Sequence, residues 1–193
     1  MINSIKLFLE GIRVKNIIIA IACCIIAFSK FDFINYNDMM VITIIVVLLM
    51  IVANLANDIY DIQIDSINKP GRPLVVNSSM HNLFKWTIIS CSIFAVGLSF
   101  FINIKGQLIV IFSIPILILY TKLFKPLPLI GNIVVAFYLS LVFLFIEITL
   151  QGFIDVMIFP AIFAFGISLI REVIKDIEDF KGDKKAGLQT LPI

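Results

Sequence analysis

Six uncharged and mostly apolar runs, separated by short charged segments, dominate this sequence of 193 residues. The runs cover residues 16–29, 39–57, 86–104, 106–121, 126–146 and 156–170. A helix that crosses a bilayer needs about 20 mainly apolar residues, and flanking Lys and Arg side chains can extend a shorter run. With 61% hydrophobic residues and a mean hydropathy of +1.09, the chain is too apolar for a soluble domain. We therefore predict an all-α bundle of about six transmembrane helices, forming a single domain over residues 1–193.

Lysine and arginine are distributed unevenly among the segments between these runs. Of the 15 such residues, all but Lys30 and Lys105 fall in the two terminal segments and in the second and fourth connections. Because successive membrane spans run in opposite directions, these four segments lie on the same side of the membrane. Positive residues remain on the cytoplasmic side. We therefore predict a multi-pass protein of the cell (inner) membrane with its N-terminus in the cytoplasm. The net charge of +2 gives no reason to expect a nucleic-acid partner.

Three aspartates follow the second apolar run directly, in the stretch 57-NDIYDIQIDSINKPGRPL-74. On one continuous helix, Asp58, Asp61 and Asp65 would share an arc of about 60° with Asn54, at 100° per residue. Carboxylates at the end of a membrane helix are costly, so they favour a functional site over chance. The pattern predicts an oxygen-rich face at the cytoplasmic end of this helix.

The same D-x-x-D-x-x-x-D spacing recurs near the C-terminus, in 171-REVIKDIEDFKGDKKAGLQTLP-192. Asp176, Asp179 and Asp183 repeat the pattern, and Glu172 extends it by one helical turn. A single acidic cluster is often only a solvated helix end. Two clusters with identical spacing, on the same predicted side of the membrane, favour a shared site.

Such a pair of acidic motifs has a specific chemistry. Carboxylate oxygens without His or Cys favour hard cations such as Mg²⁺, which readily shares its coordination shell with phosphate oxygens. Arg72, Lys125 and Lys175 are available to hold the remaining negative charge of a diphosphate. The two motifs therefore predict a clamp for Mg²⁺-bound diphosphate, and loss of diphosphate is the chemistry that they favour.

At these residues the chain resembles the UbiA superfamily of intramembrane prenyltransferases. Residues 57–65 match the first family motif, and 68-NKPGRPL-74 looks like its K-P-x-R-P segment. Residues 176–192 match the second motif with its trailing G-x-x-T-L-P. The stretch 120-YTKLFKPLPLIGN-132 is similar to the family's Tyr- and Lys-bearing loop followed by Gly-Asn. The resemblance extends along essentially the whole chain.

The resemblance implies a helical bundle around a central cavity that opens to the cytoplasm and to lipid, where two Mg²⁺ ions bind a prenyl diphosphate. The expected metal ligands are Asp58, Asp61, Asp65, Asp176, Asp179 and Asp183, of which Asp61, Asp65 and Asp179 are also the candidate catalytic residues. The expected diphosphate-binding residues are Asn54, Asn57, Arg72, Tyr120, Lys122, Lys125 and Lys175.

The segment from Arg171 to Asp183 most resembles the branch of the family that transfers a geranylgeranyl group to geranylgeranylglyceryl phosphate in membrane lipid biosynthesis. Aromatic-acceptor branches of quinone biosynthesis have looser versions of this segment and remain the alternative. The acceptor's phosphate would suit nearby cationic residues that also serve as topology signals: Lys6, Arg13, Lys15 and Lys122. Family members carry three further helices after the second motif, so we expect an incomplete chain or completion by a partner subunit.

Other functions stay open from the residues alone. Acidic residues in membrane helices also build cation pathways, so a cation-coupled transporter is one alternative, and an inactive fragment or scaffold is another. Glu147, late in the fifth predicted span, is the acidic residue nearest the membrane interior, and we interpret it as interfacial near the outer face. The three cysteines and His81 show no metal-ligand spacing, which favours a purely structural role.

Overall fold

The computed structural model describes residues 2–32, 35–125, 127 and 129–185, and the regular structure in these ranges is helical. A short 3-10 turn, Ser78–Met80, precedes the sixth α-helix. The α-helices are α1 (Ile2–Ile12), α2 (Val14–Phe28), α3 (Tyr36–Tyr60), α4 (Ile62–Asn68), α5 (Pro73–Val76), α6 (His81–Ser99), α7 (Ile104–Leu123), α8 (Ile130–Gln151) and α9 (Ile158–Lys185).

Four of these helical segments are long and apolar enough to cross a membrane: α3, Ser78–Ser99, α7 and α8. A fifth candidate is the pair α1 and α2, which are bent by 41° relative to each other. The bend lies at Arg13, whose φ of 57° is left-handed and interrupts the helix. The predicted all-helical membrane protein is confirmed, with four or five candidate spans within the described residues. The sixth predicted run lies in the first half of α9, whose second half is highly charged.

Helix α3 lies at the centre of the bundle and contacts α1, α2 and α5–α8. Its 25 residues are sufficient to cross the hydrocarbon core of a bilayer, at about 1.5 Å per residue. One apolar cluster, around Ile42 and Ile45, packs it against α2, α7 and α8. A second, around Leu55 and Phe84, packs it against α6 directly before the first acidic motif. This packing fixes the direction in which the end of α3 presents Asp58.

The connection between α8 and α9 turns the chain back on itself. Gly152, with a φ of 81°, ends α8 in the left-handed conformation that glycine adopts easily. The side chain of Glu147 is fully buried and accepts hydrogen bonds from the backbone N–H groups of residues 155, 156 and 157, at 2.9, 2.9 and 3.1 Å. This carboxylate therefore satisfies the amides that precede α9, and the interpretation of Glu147 as interfacial near the outer face stays a prediction.

Candidate active site

The two acidic motifs come together at one end of the bundle, where α4 packs against α9. Lys69, which follows α4, contacts Asp179 on α9. Two further polar contacts bring in the neighbouring elements: Lys125, between α7 and α8, contacts Asp61, and Asn132 on α8 contacts Asp176. Each contact links residues that are at least 44 positions apart. The predicted meeting of the two motifs is therefore a feature of the fold.

The first motif does not lie on one continuous helix. Helix α3 ends at Tyr60 and α4 begins at Ile62, while Asp61 between them has φ −90° and ψ 6°. The backbone hydrogen bonds from Asp61 N to Asn57 O and from Asp65 N to Asp61 O are kept, at 2.8 and 2.7 Å. The expected single helical stripe is thus corrected: a local irregularity sits at Asp61, in a backbone region where active-site residues are often found.

Two guanidinium groups surround the carboxylate of Asp58. Arg13 Nη2 donates to Asp58 Oδ1 at 2.9 Å, and Arg13 Nη1 donates to Asn54 Oδ1 at 3.2 Å. Arg72 lies between the first and third aspartates, with Nη1 3.6 Å from Asp58 Oδ1 and Nε 3.9 Å from Asp65 Oδ2. We call these five residues the Asp58 cluster. It combines two buried carboxylates with two cations that are themselves less than a quarter exposed.

Asp61 points away from this cluster, toward the connection between α7 and α8. Lys125 Nζ donates to Asp61 Oδ2 at 2.7 Å. One turn earlier, Asn57 accepts a hydrogen bond from the Thr121 hydroxyl. The aspartates of the first acidic motif therefore face different cations: Asp58 and Asp65 lie near Arg72, whereas Asp61 lies near Lys125.

A small cavity of about 20 Å³ lies beside Lys125 and is lined mainly by the second acidic motif. Asn132 Nδ2, at the start of α8, donates to Asp176 Oδ2 at 2.8 Å. Glu172 is buried and accepts from Arg171 and Lys175, both at 3.1 Å. The cavity is lined by Tyr120, Lys125, Gly131, Asn132, Glu172, Lys175, Asp176, Asp179 and Asp183.

Burial makes two of these carboxylates unusually basic. It raises the pKa of the Asp65 carboxyl above its ordinary value, and the positive charge of Arg72 opposes this only in part. It also raises the pKa of Asp176, against the effect of the hydrogen bond from Asn132. Each ionised carboxylate therefore carries a desolvation cost that a bound cation would offset.

The donor atoms fit a hard divalent cation such as Mg²⁺. All the acidic groups offer oxygen ligands, and within the described residues Asp58 Oδ2 and Asp61 Oδ1 are buried without a hydrogen-bond partner. In the same ranges, no three acidic, His or Cys side chains converge as a ready-made metal site. Protein cations instead neutralise the carboxylates, so that cation binding would require these side chains to rearrange.

The structure brings together most of the residues that the sequence predicted. Lys122 differs, because it is exposed near the end of α7 and does not line the cavity. Sequence reasoning missed the roles of Lys69, Thr121 and Asn132 as partners of the acidic motifs. Lys69 and Asn132 lie inside the quoted motif segments. Their polar side chains within these segments were therefore the sequence signal that could have identified them as partners of the carboxylates.

Comparison with known proteins identifies the family of this chain. The family model described as "UbiA prenyltransferase family" matches residues 16–193. The chain belongs to the UbiA prenyltransferase family. This UbiA-family chain is 36% identical to the digeranylgeranylglyceryl phosphate synthase of Methanocaldococcus jannaschii, over 99% of its own length and 68% of that protein. It is 39% identical to the enzyme of the same name from Methanococcus aeolicus, covering 98% of this chain and 68% of the relative.

Two solved structures share the fold. One, from work on digeranylgeranylglyceryl phosphate synthase in membranes, superposes with a TM-score of 0.76 at 36% identity, covering 98% of this chain and 68% of that one. The other is a UbiA homologue from Archaeoglobus fulgidus bound to DMAPP and Mg²⁺, with a TM-score of 0.77 at 20% identity and coverage of 96% and 68%. This UbiA-family chain is thus a multi-pass membrane prenyltransferase, similar to the digeranylgeranylglyceryl phosphate synthases.

Proposed function

We propose that this UbiA-family chain catalyses the Mg²⁺-dependent transfer of a geranylgeranyl group from its diphosphate to geranylgeranylglyceryl phosphate. The observation that carries the proposal is the meeting of two acidic motifs with four cations at one end of the bundle. These cations are Arg13, Lys69, Arg72 and Lys125. Diphosphate and Mg²⁺ together match this alternation of carboxylates and cations.

The residues that would hold two Mg²⁺ ions are Asp58, Asp61 and Asp65 from the first motif and Asp176, Asp179 and Asp183 from the second. The ions would supply charge neutralisation for the departing diphosphate. Arg72 and Lys125 both contact the first motif and would bind oxygens of the diphosphate. Lys175, Tyr120, Asn54 and Asn57 would support these groups from their positions around the site.

The reaction breaks the C1–O bond of the prenyl diphosphate, and the diphosphate leaves with the bonding electron pair. The acceptor's hydroxyl oxygen then bonds to C1 of the allylic carbocation and forms an ether. The hydroxyl proton needs a base, and we assign that role to Asp65, whose pKa burial raises above its ordinary value. Asp61 is the weaker candidate, because Lys125 already holds one of its oxygens.

The acceptor's phosphate fits a cation near the Asp58 cluster. Of the four cationic residues that the sequence offered for this purpose, Arg13 is the one that a salt bridge joins to the first motif, at 2.9 Å from Asp58. Lys6 instead pairs with Glu10 on an exposed face, and Lys122 is exposed. Arg13 is therefore our candidate for the contact to the acceptor's phosphate.

The orientation of the protein in the membrane is part of the same proposal. We place the site on the cytoplasmic side, because the Lys and Arg residues concentrate in the segments at that end of the bundle. The apolar first half of α9 would be the sixth crossing, and the helices would enclose the prenyl tail in a cavity open to the cytoplasm and to lipid. These features support delivery of both lipid substrates from the membrane.

A competition assay tests the proposal. Protein in detergent receives geranylgeranyl diphosphate, Mg²⁺ and equal concentrations of geranylgeranylglyceryl phosphate, 4-hydroxybenzoate and a dihydroxynaphthoate, and mass spectrometry identifies the product. We expect the digeranylgeranyl ether with release of diphosphate. Exclusive prenylation of an aromatic ring would refute the acceptor, whereas no product together with Asp-dependent cation flux in liposomes would refute the enzyme.

A further inference from the structure

A second and larger cavity lies at the end of the bundle opposite the acidic motifs, where α2 and α8 end and α3 begins. Its volume is about 400 Å³, which is within the usual range for small-molecule sites, whereas the cavity beside Lys125 measures about 20 Å³. Asp38 in its wall lies about 30 Å along α3 from Asp58, at 1.5 Å per residue. The larger cavity is therefore separate from the candidate active site.

Three charged side chains line this cavity: Lys30, Asp32 and Asp38. The ion pairs found among the described residues involve none of the three. The side-chain amides of Asn35 and Gln151 add hydrogen-bond donors and acceptors to the wall. The cavity thus offers one cationic and two anionic positions to a ligand.

Hydrogen bonds hold the walls of the cavity in place. Asn35 caps α3, and its side-chain oxygen accepts from the backbone N–H of Asn37 at 3.0 Å, which fixes the first turn where Asp38 lies. On the other side, the Asn103 amide donates to two backbone carbonyl oxygens near the end of α8, at 2.6 and 2.7 Å. The end of α8 carries Gln151. The site is therefore largely formed before a ligand binds.

The position of the cavity points to a lipid as its ligand. Helix α3 is long and apolar enough to cross the membrane, so its first turn lies at a membrane–water interface. Tyr36, the first residue of α3, is exposed, as is common for aromatic side chains at that depth. Phe31 and Leu150 complete the wall and pack against the apolar cluster around Ile42 and Ile45. Polar and apolar parts of one ligand can both be accommodated.

We propose that this cavity binds a zwitterionic lipid whose headgroup carries a primary ammonium and a phosphate, as in phosphatidylethanolamine. The ammonium would donate to the carboxylates of Asp32 and Asp38, and Lys30 would pair with the phosphate. A choline headgroup has no N–H to donate, and a glycerol headgroup leaves both carboxylates without a cation. The charge pattern therefore predicts selectivity among headgroups, and this inference does not depend on the proposed function.

Titration with short-chain lipids tests the site. Calorimetry measures binding of dihexanoyl phosphatidylethanolamine, phosphatidylcholine and phosphatidylglycerol to the protein in a non-ionic detergent, with detergent micelles alone as the blank. We expect one saturable site for the ethanolamine lipid. The other two lipids should bind about ten- to a hundredfold more weakly, which is the effect of losing a hydrogen bond between charged groups. Equal affinities for the three lipids would contradict a headgroup site.

Two variants and a matched control locate the binding. Asp38→Asn and Lys30→Met should each weaken binding of the ethanolamine lipid by about ten- to a hundredfold, because each removes one charge of the proposed contacts. Asp155→Asn is the control, since Asp155 is exposed near the same end and does not line the cavity. Thermal unfolding in lipid-free detergent shows that each variant is folded. Parental affinity in both Asp38→Asn and Lys30→Met would refute the site.

Two further titrations separate the lipid from other ligands. Free phosphoethanolamine should bind at least about tenfold more weakly than the lipid, because it has no acyl chain to pack against Phe31 and Leu150. Equal affinity would show a site for a soluble zwitterion and refute the lipid. Calcium ions that displace the lipid in the parent, and bind more weakly to Asp38→Asn, would show a cation site instead. These outcomes are read from binding alone, so they hold whether or not the protein transfers a prenyl group.

Discussion

Asn132 Nδ2 donates a hydrogen bond to Asp176 Oδ2 at 2.8 Å, which joins the first turn of α8 to the second acidic motif on α9. Asn132 is buried, and its contact holds one oxygen of a carboxylate whose pKa burial raises. The neutral amide orients Asp176 without neutralising it. Asn132 therefore leaves the charge of Asp176 available to a cation.

Replacement of Asn132 by alanine tests this orientation. We expect Asn132→Ala to lower kcat/KM by about ten- to a hundredfold and to raise the Mg²⁺ concentration needed for half-maximal rate, because Asp176 loses its fixed direction. Ser140→Ala on the same helix is the control, since that hydroxyl donates to the Phe137 carbonyl of its own helix. An unchanged Mg²⁺ dependence in Asn132→Ala would contradict the assignment.

Gly131 permits the close approach of α8 to the connection that carries Lys125. A Cβ at Gly131 would lie 3.1 Å from both Lys125 Cα and the Phe124 carbonyl oxygen, and these backbone atoms cannot move alone. We expect Gly131→Ala to destabilise the protein by about 1–3 kcal/mol, by overpacking, and to weaken binding of the diphosphate analogue. Gly166→Ala in α9 is the matched control, because nothing lies within 4 Å of its added Cβ. Equal unfolding temperatures for the two variants would show that the contact between α8 and the connection leaves room for a Cβ at residue 131.

Glu147 should contribute to stability at the end of the bundle opposite the candidate site. Glu147→Leu leaves the amides of Asp155, Val156 and Met157 without their acceptor. Met157 is the buried residue of the three, and a buried unpaired group costs about 1–3 kcal/mol. We expect a loss of at least about 1 kcal/mol, with a smaller loss for Glu147→Gln, which keeps one acceptor oxygen. Thermal unfolding in detergent measures both, with exposed Glu10→Gln as the control. If Glu147→Leu unfolds at the same temperature as the parent, then water satisfies these amides in place of the carboxylate.

The fold class and the location of the site follow from the sequence for physical reasons. An apolar run of about 20 residues crosses a bilayer as a helix, which pairs its backbone N–H and C=O groups within the segment. The D-x-x-D-x-x-x-D spacing of Asp58, Asp61 and Asp65 recurs in Asp176, Asp179 and Asp183, which marks two elements with the same chemistry. Both features are local, so they can be found without knowing which helices are neighbours.

The partners of these carboxylates could not be predicted in the same way. The pairs Lys69 with Asp179 and Asn132 with Asp176 depend on the packing of α4 and α8 against α9, which no local pattern encodes. The irregularity at Asp61 has no Gly or Pro to mark it. Likewise, a single carboxylate at the end of an apolar run does not reveal whether it is exposed or, like Glu147, buried against backbone amides.

Replacement of individual aspartates tests the proposed metal site. Asp58→Asn, Asp61→Asn, Asp176→Asn and Asp183→Asn should each abolish detectable transfer, because every change removes a proposed ligand charge. Product formation by mass spectrometry measures these effects. A turnover of Asp61→Asn within a few-fold of the parent would show that the metal site lies elsewhere.

The central claim is that the two acidic motifs bind diphosphate through Mg²⁺, and calorimetry tests it most directly. The parent protein is titrated with the geranylgeranyl diphosphate analogue in the presence of Mg²⁺ and again in excess EDTA. We predict that the protein binds Mg²⁺ weakly alone, because the ion keeps coordination positions for phosphate oxygens, and binds the analogue tightly only when both are present. Equal affinity for the analogue in Mg²⁺ and in excess EDTA would contradict the account.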